Sequence, residues 1–394
     1  MPIGNVSNSF NGSFNGQGHS ISNLTINEGL NNYVGLFGAT GTGSIIQNVG
    51  LIDTYIVGNS YVGGIAGSDN GHIINSYVTG SVGTIAGDPV WYTHLHGYEI
   101  GGLVGWEAGR IDDSYSTAVV NANSNAGGLV GNNYGTINNS YATGNVNAYE
   151  AFGGLVGTNN SIINASYATG SLLDMGPFHA LMGGLVGYNL GNIYNSYATG
   201  NVLSLGSNQV EDGIGGLAGS NLGLISNSYA TGTVTGNTKV GGLVGFNSAF
   251  ITDSYATGNV TATNTLGGLV GYNSGTISSS VPGVYKTYAT GNVTGTSNNV
   301  TGPNTANNDN LGGLVGLNDV GGSISYAYAT GIVTDLFSGI GYWSNAGGLV
   351  GLNLNGALID HSYATGAVRA AAEVGGLVGA NGGALWYFFH DQSR

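Results

Sequence analysis

The string Gly-Gly-Leu-Val-Gly, or a close variant, begins at Gly63, Gly101, Gly127, Gly153, Gly183, Gly215, Gly241, Gly267, Gly312, Gly347 and Gly375. A diverged copy runs from Val34 to Gly38. The shortest spacing is 26 residues, at 101→127, 127→153, 215→241 and 241→267, and every other spacing is longer. A fixed minimal period with occasional expansion marks a chain built by stacking one supersecondary unit. Other positions keep their offsets too. An Asn lies two residues past the block (Asn133, Asn159, Asn189, Asn221, Asn247, Asn273, Asn318, Asn353, Asn381), and an Ile follows four later (Ile137, Ile163, Ile193, Ile225, Ile251, Ile277). Then comes Ser-Tyr-Ala-Thr-Gly or a variant of it, with Tyr at 77, 115, 141, 167, 197, 229, 255, 288, 328 and 363.

These blocks resemble the GLUG repeat, named for its Gly-Leu-hydrophobic-Gly core, over about residues 34–383. The segment FNGSFNGQGHSISNLTI at 10–26 resembles the lead-in often found before such repeats. GLUG repeats occur in large bacterial surface proteins, including haemagglutinin-like adhesins and the non-catalytic part of some immunoglobulin A peptidases. The resemblance implies an exported, surface-attached setting and supplies no activity.

Composition agrees with a stacked β-structure. Gly is 76 of 394 residues, which at first suggests disorder, yet hydrophobic residues reach 41% and Tyr alone is 24. A disordered chain lacks that apolar material. Helix is excluded because Gly at this density costs roughly 1 kcal/mol per site relative to Ala. Val, Ile, Thr and Tyr favour short strands. The expected fold is therefore all-β: a single parallel β-solenoid of about 11–12 rungs on the 26-residue repeat. Two or three strands are expected per rung: one near GGLVG, one across the Ile to Tyr-Ala-Thr stretch, and a weaker third after Gly144. Leu, Val and Ile fill the coil interior, and Gly serves corners of positive φ or close backbone approach. The Asn fits an inner ladder and the Tyr an evenly spaced stack. Residues 1–33 are expected to cap one end, 34–383 to form the repeats, and 384–394 to form an aromatic cap or interface.

The repeat is interrupted at one corner. Between the Val after Ser-Tyr-Ala-Thr-Gly and the next Gly-Gly, the shortest coil has six residues (147–152). That stretch grows at 83–100, 173–182, 203–214, 294–311 and 334–346. A smaller insertion at another corner lies near Ser279–Lys286. Insertions confined to one corner project along one edge, where binding loops are expected. Two of them concentrate aromatics: Trp91, Tyr92 and Tyr98 in one, Phe337, Tyr342 and Trp343 in the other. These six are the candidate ligand contacts, for a glycan or a surface protein. Trp386, Tyr387, Phe388 and Phe389 are candidates for a cap or for self-association.

Other chemistries find little support. Five basic residues against 19 acidic give a formal charge of −14, so nucleic acid and anionic membranes are poor partners. No apolar run is long enough to span a bilayer. There is no Cys, which removes thiolate and redox chemistry. His94 and His96 near Asp88 and Glu99 are two ligands where a metal site needs three or four, so no metal or cofactor is assigned. Met1–Phe10 does not read as a signal peptide, so export is expected to use a signal outside the numbered chain or another route. GGLVG recurs in every rung with no helix after it, unlike a dinucleotide fingerprint, and no catalytic set is found. The expected function is a non-catalytic extracellular or cell-surface rod of adhesin type, with contacts on the insertion edge. The alternatives are a self-assembling filament subunit and, more remotely, a glycan-cleaving β-helix enzyme.

Overall fold

The computed structural model describes residues 2–84, 97–174, 176, 181–205, 213–296, 308–336, 343–371 and 373–386, and these contain strands and turns but no α-helix. One coil takes five short strands, Ser124–Gly127, Val130–Asn133, Thr136–Asn138, Tyr141–Ala142 and Val146–Ala148. The expectation of two or three strands per rung is corrected by two bends. Asn139, at φ 46°, turns the chain between the Ile and Tyr strands. Gly128 and Leu129 bend the GGLVG block in its middle, leaving a strand on either side. Each strand pairs in parallel with its counterpart one coil on. The registers are Gly127↔Gly153, Val130↔Val156, Ile137↔Ile163, Tyr141↔Tyr167 and Val146↔Leu172. This is a parallel β-solenoid, of about eleven turns in the whole chain.

The chain divides into two compact units, 1–200 and 201–394. In the first, residues 1–33 add strands of their own. Ser13–Asn15 pairs with Ile45–Gln47, while Ser20–Ser22 and Thr25–Asn27 both pair with the long strand Gly50–Val57. The second unit repeats the same scheme from Ala218–Asn221 to Val378–Asn381, with registers such as Val244↔Val270 and Val315↔Val350.

Equivalent residues fill the interior as columns. In the first unit Leu129, Leu155 and Leu185, Val130, Val156 and Val186, and Ile137, Ile163 and Ile193 are all fully buried. In the second, Leu243, Leu269, Leu314 and Leu349 continue the pattern. Full burial of one such side chain stabilises by ~1.5–3 kcal/mol, and every coil repeats the set. The block glycines are explained by close approach, not by positive φ. A Cβ on Gly154 would lie 2.2 Å from the carbonyl oxygen of Gly184 in the next coil. The left-handed corners belong instead to Asn75, Asp113, Asn139 and Asn195, and to Asn227 and Asp253 in the second unit. Asn and Asp tolerate that region better than other side-chain-bearing residues.

Three ladders tie the coils together. Asn133 Nδ2 donates to Asn159 Oδ1, and Asn159 Nδ2 to Asn189 Oδ1, each at 2.8 Å. In the second unit the sequence Asn221, Asn247, Asn273, Asn318, Asn353, Asn381 runs at 2.8 Å per link in the same direction. The second Nδ2 proton serves the carbonyl two residues on, as from Asn189 to Gly191 at 3.1 Å. A serine ladder lies beside it. The backbone N–H groups of Ser76, Ser114, Ser140 and Ser166 each donate to the next coil's Ser Oγ at 3.1–3.2 Å. Outside, Tyr77, Tyr115, Tyr141, Tyr167 and Tyr197 stack at 4.8–5.0 Å within 5° of parallel. Tyr229, Tyr255, Tyr288, Tyr328 and Tyr363 do the same in the second unit, at 4.7–5.1 Å.

Candidate functional site

Each of the five long insertions leaves from the strand after Ser-Tyr-Ala-Thr-Gly and returns at the strand that opens the next Gly-Gly block. The gaps fall between Gly83 and Tyr98, Asp174 and Leu181, Leu203 and Gly213, Gly295 and Asn308, and Asp335 and Trp343. Beside this corner runs a row of residues at positive φ: Tyr33 (61°), Tyr61 (57°), Glu99 (60°) and Asn125 (48°). Each stands two residues before a block glycine, Gly35, Gly63, Gly101 or Gly127. The sequence gives no warning of this row, because its side chains differ from coil to coil and only the backbone conformation recurs.

In the first unit the row gathers aromatic and polar groups. Tyr33 and Tyr61 stack at 4.5 Å and 7°. The Glu99 carboxylate accepts a hydrogen bond from Asn132 Nδ2 at 3.1 Å, and the Tyr61 hydroxyl is directed at it. Burial pushes the Glu99 carboxyl up. Burial and then the charge of Glu99 push the Tyr61 phenol up. Trp106, one residue from the Glu107 that pairs with Asn133, packs against Tyr134 at 5.8 Å and 41°. Tyr134 is 51% exposed. Rings with an amide and a carboxylate between them can hold a polyhydroxylated or peptidic ligand by ring contacts and hydrogen bonds.

The second unit presents different groups at the corner. Strands Asn308–Gly312 and Trp343–Gly347 pair over five residues, where Val240–Gly241 covers two. Asn345 Nδ2 donates to Asn310 Oδ1 at 2.8 Å. Burial, followed by the charge of Asp335, raises Asp309 to about 7. Lys239 Nζ lies 5.7 Å and 5.6 Å from the ring centres of Phe246 and Tyr272. The Tyr272 hydroxyl donates to Asp319, and burial together with that bond pushes its phenol up to about 12.

Of the candidate contacts, Tyr98 is half-buried and opens the strand Tyr98–Gly101. Trp343 opens Trp343–Gly347, and Trp386 closes Ala384–Trp386, which pairs with Leu358–Asp360. Trp91, Tyr92, Phe337, Tyr342, Tyr387, Phe388 and Phe389, with His94 and His96, lie outside the described residues. A charged group also sits away from the edge. Asp112 Oδ2 receives His72 Nε2 at 2.6 Å and Arg110 Nε at 2.5 Å, and Asn138 Nδ2 donates to Oδ1 at 3.1 Å. Burial acts against the Asp112 charge, but these bonds together hold its carboxyl below the usual range. The group clamps neighbouring coils. Among the described residues no three His, Cys, Asp or Glu converge as metal ligands.

This architecture defines a stacked-repeat protein whose invariant positions are structural. The GLUG motif matches at residues 122–147, 179–203, 212–235, 236–261 and 344–369, so the chain carries a GLUG-repeat region. It is similar to halomucin of Haloquadratum walsbyi, 41% identical over 118 residues, which is 29% of this chain and 1% of that protein. It is also similar to a protein of Evansella cellulosilytica described as a Gly-rich membrane protein, 38% identical over 77 residues, 19% of this chain and 9% of the relative. The chain therefore matches a small part of each relative's length. No solved structure matches it.

Proposed function

We propose that this chain is a non-catalytic β-solenoid module of a secreted or cell-surface repeat protein, of adhesin type, which holds a glycan or a protein ligand along its insertion edge. One observation carries the reading. The ladders repeat one residue type through most coils, whereas side chains of varied chemistry collect beside the corner where the insertions emerge, as Tyr61, Glu99, Asn132, Trp106 and Tyr134 do. A stacking requirement does not select an acid, an indole and a phenol at such positions. The surface setting is supported by the GLUG motif and by a relative whose name describes a membrane protein.

Trimming the insertions at 83–100 and 334–346 to the six-residue length of the shortest coil tests it. Binding to a panel of immobilised polysaccharides and matrix proteins should fall at least tenfold, while the far-UV spectrum is kept. Full binding by the trimmed protein would reject the edge as the ligand face. A second reading is a self-assembling subunit of an extracellular filament, in which the parallel coil-on-coil pairing of each sheet continues between copies. Filaments in electron micrographs of concentrated protein would support it, and uniformly dispersed particles would reject it.

A further inference from the structure

The asparagine ladder has a defect in the first unit. Pairing register puts Glu107 opposite Asn133 and Asp69 opposite Glu107, so two successive coils carry acids where later coils carry amides. Both residues are 0% exposed. The ladder has a direction, each Nδ2 donating to the next coil's Oδ1, so the Oδ1 of Asn159 takes a proton from Asn133. Asn133 Oδ1 takes the Gly135 N–H at 3.1 Å, but the coil before it offers no nitrogen. At the other end Thr40 starts the series: its hydroxyl donates to Asp69 Oδ1 and accepts the Asn70 N–H at 3.1 Å. Between Thr40 and Asn133 only side-chain oxygens follow one another along the axis, with the backbone N–H groups of Gly71 and Gly109 directed at Asp69 and Glu107 from their own coils. Among the described residues Asp69 Oδ2 and both carboxyl oxygens of Glu107 are buried and make no well-formed hydrogen bond.

We infer that Asp69 and Glu107 are carried in the folded chain as neutral acids, their O–H groups donating along the axis in place of the missing amide N–H groups. Thr40 then donates to Asp69, Asp69 to Glu107 and Glu107 to Asn133 Oδ1, with the same polarity as the amide ladder. Two carboxylates one strand spacing apart, about 4.8 Å, in a dry interior would each lack a counter-charge, and such groups neutralise instead. Glu107 is one methylene longer than Asn, and the next coil leaves room for it. A Cβ on Gly135 would lie 2.8 Å from Glu107 Oε1. A divalent cation would ask for six or more oxygens, and no third acid converges here among the described residues.

The titratable groups acting on the pair are each other and His72, whose positive form would favour the Asp69 carboxylate. His72 is itself engaged by Asp112. Burial dominates and pushes Asp69 up. It pushes Glu107 well up, with the Asp69 charge adding to it. Raised folded values mean that the folded state holds protons the unfolded chain has released. The stabilisation is complete below the ordinary carboxyl range and is lost as pH climbs through the folded values. The early coils of the first unit are thus locked by protons and loosened by alkali.

Infrared spectroscopy of the whole chain at neutral pH should show a protonated-carboxyl band that is absent from the D69N/E107Q variant. Taking that difference removes any contribution from Asp309. In hydrogen exchange corrected for intrinsic rates, strands Ala66–Asp69 and Val104–Glu107 should lose protection at least tenfold from neutral to alkaline pH. Strand Val315–Asn318 serves as internal reference, and the variant should stay flat. Should the double variant fold poorly, the Asp309→Asn chain removes that contribution instead, and its remaining band reports the pair. Absence of the band would overturn the inference. So would protection that rises with calcium or sodium and falls with a chelator, which would put a cation where the protons are placed.

Discussion

At the scale of single residues, the left-handed bend between the Ile and Tyr strands shows how backbone geometry chooses side chains. Asn139 and Asn195 hold left-handed conformations at φ 46° and 50°, and Ala165 holds one at 48° in the coil between them. Ala lacks the short polar side chain that eases this region. Ala165→Asn should therefore raise unfolding stability by about 1 kcal/mol, and Ala165→Gly by a similar amount, read from denaturant midpoints. Asp309 supplies a pH prediction. Its folded value of about 7 is raised by burial and by Asp335, so its neutral form belongs to the folded state. Stability should be greatest below the ordinary carboxyl range and decline as pH rises through about 7, because ionisation then opposes folding. Urea midpoints measured across that range should show the decline in the wild type and a flatter line in Asp309→Asn.

At the scale of elements, the two kinds of glycine separate cleanly. Gly154 faces the carbonyl of Gly184 at 2.2 Å from where a Cβ would sit, whereas Gly43 has nothing within 4 Å and no positive φ. Gly154→Ala should cost about 3 kcal/mol. Gly43→Ala should be neutral or stabilise by about 0.5 kcal/mol by restricting the unfolded chain. Thermal melts of the two variants, run together, check the contrast. The repeat spacing in the sequence was enough to foresee the parallel stacking, the interior columns, the Asn ladder and the Tyr stack, because each depends on identical residues meeting at one period. It could not reveal the five-strand division of a coil, which hangs on the left-handed turn at Asn139 and the bend after Gly128. The serine ladder was present in every Ser-Tyr-Ala-Thr-Gly but reads as a turn residue until the backbone shows its Oγ accepting from the coil before. The Glu99 cluster was hidden for a different reason. Its members come from positions 61, 99, 106, 132 and 134, and only the stacking register makes them neighbours. Asp69 and Glu107 were legible in principle, as the two acids at the ladder offset, but their meaning required burial.

At the scale of the molecule, what one coil presents to the next is the same surface it receives from the one before. Val244 meets Val270 as Leu243 N–H meets the Leu269 carbonyl, Asn247 bonds Asn273, and Tyr255 lies on Tyr288. Change in length within the stacked strands is therefore quantised, and only the insertion corner takes up other lengths. A tandem duplication of residues 241–266 creates no contact of a new kind, and the lengthened protein should fold, with its far-UV signal per residue unchanged. An insertion of half that segment between Leu243 and Tyr255, away from the insertion corner, should not, since it turns the Leu and Ile columns to solvent and brings the Asn ladder out of line. A gene that slips by whole periods yields a longer protein of the same build, and one that slips by another amount does so where the extra residues fall at the insertion corner. For a molecule of this build, replication error supplies variation in reach ready-made.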